Sequence, residues 1–268
     1  MDKEILTLEE AAELFGVSIK TFIKLLKEEK VPARKIGREW RFGRKALIDW
    51  LSTGDSQAYS ASESDVREFF NEVAPNWEEM RRGYYDESIK NRLVELGVLK
   101  KDMIAVDLGA GNGYISRAVA GLVKKVIAVD ISGEMLKTLV RKAADEGIGN
   151  IETLENDGRD IALEPESADI VFASMYLHHI EDPQIAIREM NRILKPGGLV
   201  FLADFSEHTN VELKERMHDV WAGFNREDIK SWFKKSGFRN INIEMLGAKG
   251  DRQESRNNAG IFVLLAKK

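Results

Sequence analysis

From residue 103 onward, short and continuously apolar runs alternate with amphipathic stretches, and this alternation restricts the fold more than any other feature of the chain. MIAVDLG, VIAVDIS, ADIVFASM and GGLVFLADF lack the in–out periodicity of strands with one wet face. They read as strands covered on both sides, the condition of a parallel sheet. GEMLKTLVRKAADEG and DPQIAIREMNRIL, between them, carry apolar residues at helical spacing. INIEMLG and GIFVLLAKK close the pattern as a hairpin-like pair. The expectation is a doubly wound α/β domain, whose ligand sits at the carboxyl ends of the strands.

VDLGAGNGY, residues 106–114, falls where the first of these strands gives way to a helix. Gly109, Gly111 and Gly113 let the backbone bend sharply and approach a ligand. The dinucleotide fingerprint would need glycine at 114, where Tyr114 stands; read from Gly111, its last position is Ser116. No Walker lysine follows. A pyrophosphate cradle is therefore disfavoured.

The chain is longer than this domain requires, and its charge is uneven. Of 268 residues carrying a net charge of −5, residues 1–51 hold 11 basic and 9 acidic side chains, a net of +2. Residues 20–45 alone count ten basic to three acidic, leaving the rest of the chain acidic. Such asymmetry is expected when one module meets a polyanion and the other does not. There is no cysteine, which removes disulfides, thiolate metal sites and cysteine nucleophiles together. No apolar leader and no membrane-length apolar run is seen, so a cytoplasmic protein without membrane partners is expected.

Within residues 1–52, Thr7 and Glu10 make a capping-box signature before LEEAAELF, and Gly16 should end that helix. Ser18 can cap a second helix, IKTFIKLLKEE, with Phe22, Leu25 and Leu26 inward and Lys20, Lys24 and Lys27 outward. KIGREWRF then reads as a hairpin around Gly37-Arg38-Glu39, and RKALIDWL as a third helix. Through TLEEAAELFGVSIKTFIKLL, VPARKIGREWRF and KALIDWL, this segment resembles the excisionase/MerR-type winged helix-turn-helix domain. The resemblance implies double-stranded DNA as partner, with Lys20, Thr21 and Lys24 toward base edges and Arg34, Lys35, Arg38 and Arg41 on phosphates. Modules this small usually work in pairs, so a homodimer is expected. Small polar residues around STGDSQAYSAS mark a linker, taken as 53–64, before a second domain over 65–268.

That second domain resembles the class I S-adenosylmethionine-dependent methyltransferases through VDLGAGNGY, VIAVDIS, LENDG, ADIVFASMYLHHIEDP and REMNRILKPGG, in the family's order. The resemblance implies a Rossmann-like sheet of seven mostly parallel strands and S-adenosyl-L-methionine as cofactor. Asp107 and the turn of Gly109, Ala110, Gly111 and Gly113 would hold its amino acid part. Asp130 would accept the ribose hydroxyls, Ile131 and Met135 would pack on the adenine, and Asp157 with Gly158 would take the adenine amino group. Ser174 and Met175 would line the methionine side, and Trp77, Tyr84 and Tyr85 would form either an aromatic lid or helix core.

Without cysteine, the covalent route to cytosine C5 is closed, and ASMYLHH lacks the Asn-Pro-Pro-aromatic stretch used on exocyclic amines of DNA. The acidic second domain also suits a nucleic-acid substrate poorly. A small-molecule methyl acceptor is therefore preferred; the alternative is a transcription regulator using the methyltransferase fold as a ligand sensor. All four histidines, His178, His179, His208 and His218, fall within 41 residues. A general base is expected among them, His179 or His208, oriented by Asp204. No short ligand spacing demands a metal, and none is predicted; a base, a metal site and a hydrogen-bonded pocket rim remain open for the cluster.

Overall fold

The structure, a computed structural model, describes residues 3–28, 31–37, 39–53, 66–210, 216–217, 219–246 and 260–268. The chain divides into two compact units, Met1–Glu63 and Ser64–Lys268. Of the expected linker, only Thr53 is described, as the last residue of a helix; the remainder lies outside the described residues.

The first unit runs β1 (Ile5–Leu6), α1 (Leu8–Leu14), α2 (Ile19–Glu28), β2 (Arg34–Ile36), β3 (Glu39–Gly43) and α3 (Arg44–Thr53). The Thr7–Glu10 capping box forms, and α1 ends at Phe15, before Gly16 turns the chain. Ser18 accepts the Thr21 N–H at 3.1 Å, starting α2. Phe22, fully buried, stacks on Phe15 and meets Phe42 edge-on, so one aromatic core joins both helices to the hairpin. Glu39 pairs with Ile36 inside the ladder, so it belongs to the strand and not to the expected turn. The strand β1, which pairs Leu6 with Phe42, was not expected: two residues carry no periodicity.

The second unit begins with α4 (residues 66–73), a 3-10 turn (Ala74–Asn76), α5 (Trp77–Arg81) and α6 (Ser88–Glu95). Then follow β4 (Ile104–Leu108), α7 (Tyr114–Ala120), β5 (Lys125–Asp130), α8 (Gly133–Asp145), β6 (Ile151–Glu155) and β7 (Ala168–Ser174). A 3-10 turn (Leu177–His179), α9 (Pro183–Ile193), β8 (Leu194–Phe205), α10 (Arg226–Lys235), β9 (Arg239–Met245) and β10 (Ile261–Lys267) complete it. The seven strands lie in the order β6-β5-β4-β7-β8-β10-β9, and β10 is antiparallel to both its neighbours. Phe172 and Phe201, paired across β7 and β8, are both fully buried, as the apolar runs require. One core includes Ile187, Met190, Ile229 and Phe233 of α9 and α10; another includes Ile89, Leu93, Ile115 and Val119 of α6 and α7. Parallel strands so ordered bring Asp107, Asp130, Ser174 and Asp204 to one edge of the sheet.

Candidate functional site

The glycine turn after β4 is shaped by steric necessity. Gly109 has φ +67°, and a Cβ there would lie 2.5 Å from the Tyr176 ring. Gly113 has φ +88°, and a Cβ would lie 2.7 Å from Leu139. Neither position has room for a side chain, so the turn needs glycine at both. The Gly111 N–H donates to Asp130 Oδ2, and the Ser132 N–H to Asp130 Oδ1, both at 2.8 Å. Asp107 accepts from the Ser116 hydroxyl at 2.6 Å.

Both carboxylates are buried without a cation. Burial raises Asp107 to about 7 against the hydrogen bonds from Ser116, and neighbouring Asp130 adds to the rise. Burial raises Asp130 to about 6 against its backbone donors. Burial outweighs the hydrogen bonds each receives, and no cation lies beside either among the described residues. Further along the strand ends, the buried hydroxyl of Ser174 and the Asn112 Oδ1 have no hydrogen-bond partner among the described residues. Met175 takes φ 55°, a strained conformation for a side-chain-bearing residue, at the carboxyl end of β7. The turn and these unsatisfied groups fit the predicted cofactor: a ligand supplying an ammonium, two ribose hydroxyls and a sulfonium complements them.

The other expected cofactor residues are placed less uniformly. Ile131 is half-buried beside Asp130, whereas Met135 is buried in the apolar cluster that includes Trp77 and Tyr114. Asp157 accepts from the Arg159 backbone at 2.9 Å and from its guanidinium at 2.9 and 2.7 Å. Burial opposes it, but those bonds hold Asp157 below the usual carboxylate range. The Gly158 N–H donates to Asn156 Oδ1, and the Tyr176 hydroxyl donates to the Asp157 carbonyl, so Tyr176 spans from Gly109 to the 157–158 turn.

A cap holds this edge of the sheet. Asn71 Oδ1 accepts from the Ser132 hydroxyl at 2.7 Å, and Glu78 receives Arg81, Lys142 and Asn112 at 2.5, 3.0 and 3.3 Å. Although burial opposes ionisation, those cations lower Glu78 to about 2. The Arg81 guanidinium lies 4.2 Å over the Tyr114 ring and 5.7 Å from that of Tyr85. Burial drives the Tyr85 hydroxyl well above its usual pKa. None of Asn71, Glu78 or Asn112 was singled out from sequence, since their roles need the cap folded onto the turn.

Beside the strand ends lies a cavity of about 20 Å³, walled by Trp77, Tyr84, Tyr85, Met175, Phe205 and Met217, with His178, His179 and Asp219 as its polar members. Of the aromatic residues expected as lid or core, Trp77 is buried in the core, Tyr84 and Tyr85 are half-buried, and all three line the cavity. Asp204 behaves differently from expectation. It accepts the backbone N–H groups of Leu177 and Phe205 at 3.0 and 2.8 Å, and its third partner is His178 Nδ1 at 2.6 Å, not His179 or His208. A carboxylate so engaged has only acceptors to offer, so the ring nitrogen is the donor. Burial works against a charged His178, yet the carboxylates of Asp204 and then Asp219 outweigh it and raise its pKa.

His179 Nδ1 lies 3.4 Å from Asp219 Oδ1, and its ring meets Phe70 edge-on. His208 accepts the Asn210 N–H at 3.2 Å and stands edge-on to Phe205, and burial and then nearby His178 lower its pKa. It does not line the cavity. His218 lies outside the described residues. Asp219 was missed because it is 40 residues from His179 in sequence. What joins them is backbone: the Val220 and Trp221 N–H groups both donate to the His178 carbonyl at 3.0 Å.

In the first unit, Lys20 and Thr21 are exposed at the start of α2, with the Thr21 hydroxyl 2.8 Å from that of Ser18. Arg34 and Lys35 are exposed on the hairpin, while Arg41 is paired with Glu39 and donates to the Trp40 carbonyl. Arg38 and the Lys24 side chain lie outside the described residues.

Sheet order, glycine turn and strand-end carboxylates define a class I S-adenosylmethionine-dependent methyltransferase domain. Residues 106–202 match the family described as methyltransferase domain, and residues 5–55 match the helix-turn-helix domain family. The chain is thus a fusion of an excisionase-type helix-turn-helix domain with a class I methyltransferase domain. It is 29% identical over 179 residues to the chloroplastic 2-methyl-6-phytyl-1,4-hydroquinone methyltransferase of Arabidopsis thaliana, covering 65% of this chain and 52% of that protein. It thus spans about half the length of such curated relatives. Among solved structures, Haemonchus contortus phosphoethanolamine N-methyltransferase 2 in complex with S-adenosyl-L-methionine superposes with a TM-score of 0.56 at 22% identity, over 66% of this chain and 51% of that one. The [4+2]-cyclase SpnF superposes with a TM-score of 0.63 at 16% identity, over 76% and 94%. At these identities the likeness is one of fold, and the cyclase shows that the fold does not dictate the reaction.

Proposed function

We propose that the protein transfers a methyl group from S-adenosyl-L-methionine to a small molecule, and that its first unit places it on double-stranded DNA. The observation that carries the reading is the juxtaposition of an aromatic cavity, holding two imidazoles and a carboxylate, with the glycine turn and Met175. S-adenosyl-L-methionine, when bound, supplies an electrophilic methyl group on a sulfonium. The chain's own residues then have three tasks.

Asp107 and the turn from Gly109 to Gly113 hold the amino acid part, and Asp130 holds the ribose. Trp77, Tyr84 and Tyr85 exclude water and present ring faces to positive charge. The cluster of His178, His179 and Asp219, backed by Asp204, holds the acceptor and draws off its proton, with His179 nearest the role expected for a base. The quinol acceptor named in the Arabidopsis relative supports an oxygen-bearing aromatic or quinol-like acceptor here. On the first unit, Lys20, Thr21 and Lys24 read bases, while Arg34, Lys35, Arg38 and Arg41 meet phosphates. Among the described residues no helix is long and apolar enough to cross a membrane, which supports a cytoplasmic place of action. The protein acts as a homodimer on DNA, which sedimentation checks against the 30.3 kDa monomer.

The test is methyl transfer from labelled cofactor into separated pools of DNA, protein and small-metabolite extract. Label in a small molecule is expected. Label in DNA alone refutes the acceptor class, and no label from a chain that binds the cofactor favours a ligand-sensing regulator.

A further inference from the structure

We infer that His178, His179 and Asp219 form a transition-metal site on the wall of the small cavity beside the strand ends. Asp219 Oδ1 lies 3.5 Å from His178 Nε2 and 3.4 Å from His179 Nδ1, and all three ligand atoms fall within 4.8 Å of one another. These spacings are at the outer limit of a hydrogen bond. A tetrahedral ion with bonds of about 2.0–2.1 Å holds its ligands about 3.3–3.4 Å apart. Two edges of such a polyhedron therefore already exist.

Three further observations agree. His178 pairs through Nδ1 with Asp204, so Nε2, on the side of Asp219, is the nitrogen available to a metal that displaces its proton; a carboxylate behind a ligating imidazole is the usual outer-shell support of a metal. The ligands are held by main chain, since Val220 and Trp221 bond to the His178 carbonyl and the Trp221 indole donates to the Ile180 carbonyl at 2.9 Å. The side chains of His178, His179 and Asp219 are 4%, 11% and 0% exposed, and the cavity they share is large enough for an ion or a water.

Two imidazoles and one carboxylate select Zn²⁺, Co²⁺ or Fe²⁺ over Mg²⁺ or Ca²⁺. Three protein ligands leave a position open to the cavity, as catalytic sites do. That position takes an oxygen of the acceptor. This role rests on the proposed methyl transfer: the ion, in place of His179 as a bare base, would lower the pKa of the acceptor hydroxyl, whose proton passes to solvent water. Metal binding itself stands apart from it.

The test uses the full, tag-free chain, stripped with chelator and titrated with Co²⁺ by absorption and with Zn²⁺ by calorimetry. The chain has four histidines and no cysteine, so competing sites are few. One equivalent per chain is expected, with Co²⁺ d–d bands of a four- or five-coordinate nitrogen–oxygen site. His179→Gln and Asp219→Asn should abolish it, His208→Ala should keep it, and Asp204→Asn should weaken it by about 10–100-fold. A folded parent that takes up neither ion overturns the site. So does undiminished uptake by His179→Gln and Asp219→Asn variants with the parent's circular dichroism. Full methyl transfer by the metal-free parent removes the ion from the reaction while leaving the proposed function, whereas one bound equivalent without transfer supports the site and counts against the enzyme.

Discussion

His178 Nδ1 donates to Asp204 Oδ1 across 2.6 Å, with the two side chains 4% and 0% exposed. The pair locks the end of β8 to the turn after β7, because Asp204 also accepts the Leu177 and Phe205 N–H groups. Asp204→Asn keeps the shape but offers one oxygen to three donors. It should destabilise the second unit by about 1–3 kcal/mol, the cost of a buried group left unsatisfied. Denaturant melts of parent and variant read this directly; identical midpoints and slopes would show that the pair carries no strain-free ordering of the site.

Asp107 provides a pH signature. Its folded pKa of about 7 lies above the ordinary carboxylate value of 3.8, so ionisation is costlier in the folded chain. The sign follows: the stability contributed by the protonated form is complete below about pH 4 and is lost as pH rises toward 7. Without cofactor, Asp107→Asn should therefore be more stable than the parent at pH 8, by at most about 4 kcal/mol at about 1.4 kcal/mol per pKa unit. The advantage should fade toward pH 4. Melting temperatures at pH 4.5 and 8 decide it, and a difference independent of pH would sink the assignment.

Gly109→Ala tests the cradle. A Cβ at φ +67° costs about 1–2 kcal/mol by itself and also drives into the Tyr176 ring. Tyr176 must then leave the position from which it spans to the Asp157 carbonyl. The variant should keep its circular dichroism, lose stability, and bind S-adenosylhomocysteine at least tenfold more weakly in calorimetry. Undiminished binding would mean that the turn does not hold the cofactor.

The legible parts of this fold are those in which one local rule decides. Covered strands announced β4, β5, β7 and β8 through unbroken apolar runs, and the capping box announced α1. The edge strand β6 carries no such signal: its positions are half-buried or exposed, and it pairs on one side only. The same division holds at the site. The three glycines follow from a strand ending in a tight turn, and Asp107 and Asp130 from the family resemblance carried by the motifs around them. The Asp204–His178 pairing depends on how the turn after β7 meets β8, and Asp219 on how the loop after β8 folds back along residues 178–180; spacing along the chain encodes neither. Likewise Asn71 and Glu78 reach the cofactor edge only through tertiary packing of the cap.

The exposed hairpin cations make the last prediction. Arg34 and Lys35 stand on β2, free of the ion pair that engages Arg41. On the proposed reading they contact phosphates, and each contact releases a counterion, contributing about 0.9 to the slope of log K against log salt. Arg34→Ala and Lys35→Ala should each weaken binding to a random-sequence duplex and make that slope shallower by about 1. Lys45→Ala, on α3 and paired with Asp49 at 2.7 Å, serves as the control and should leave the slope unchanged. The measurement is fluorescence anisotropy from 50 to about 200 mM salt, the range over which counterion release dominates affinity. If the control and the hairpin variants shift the slope equally, the hairpin is not a wing on DNA and the positive field of the whole unit accounts for binding.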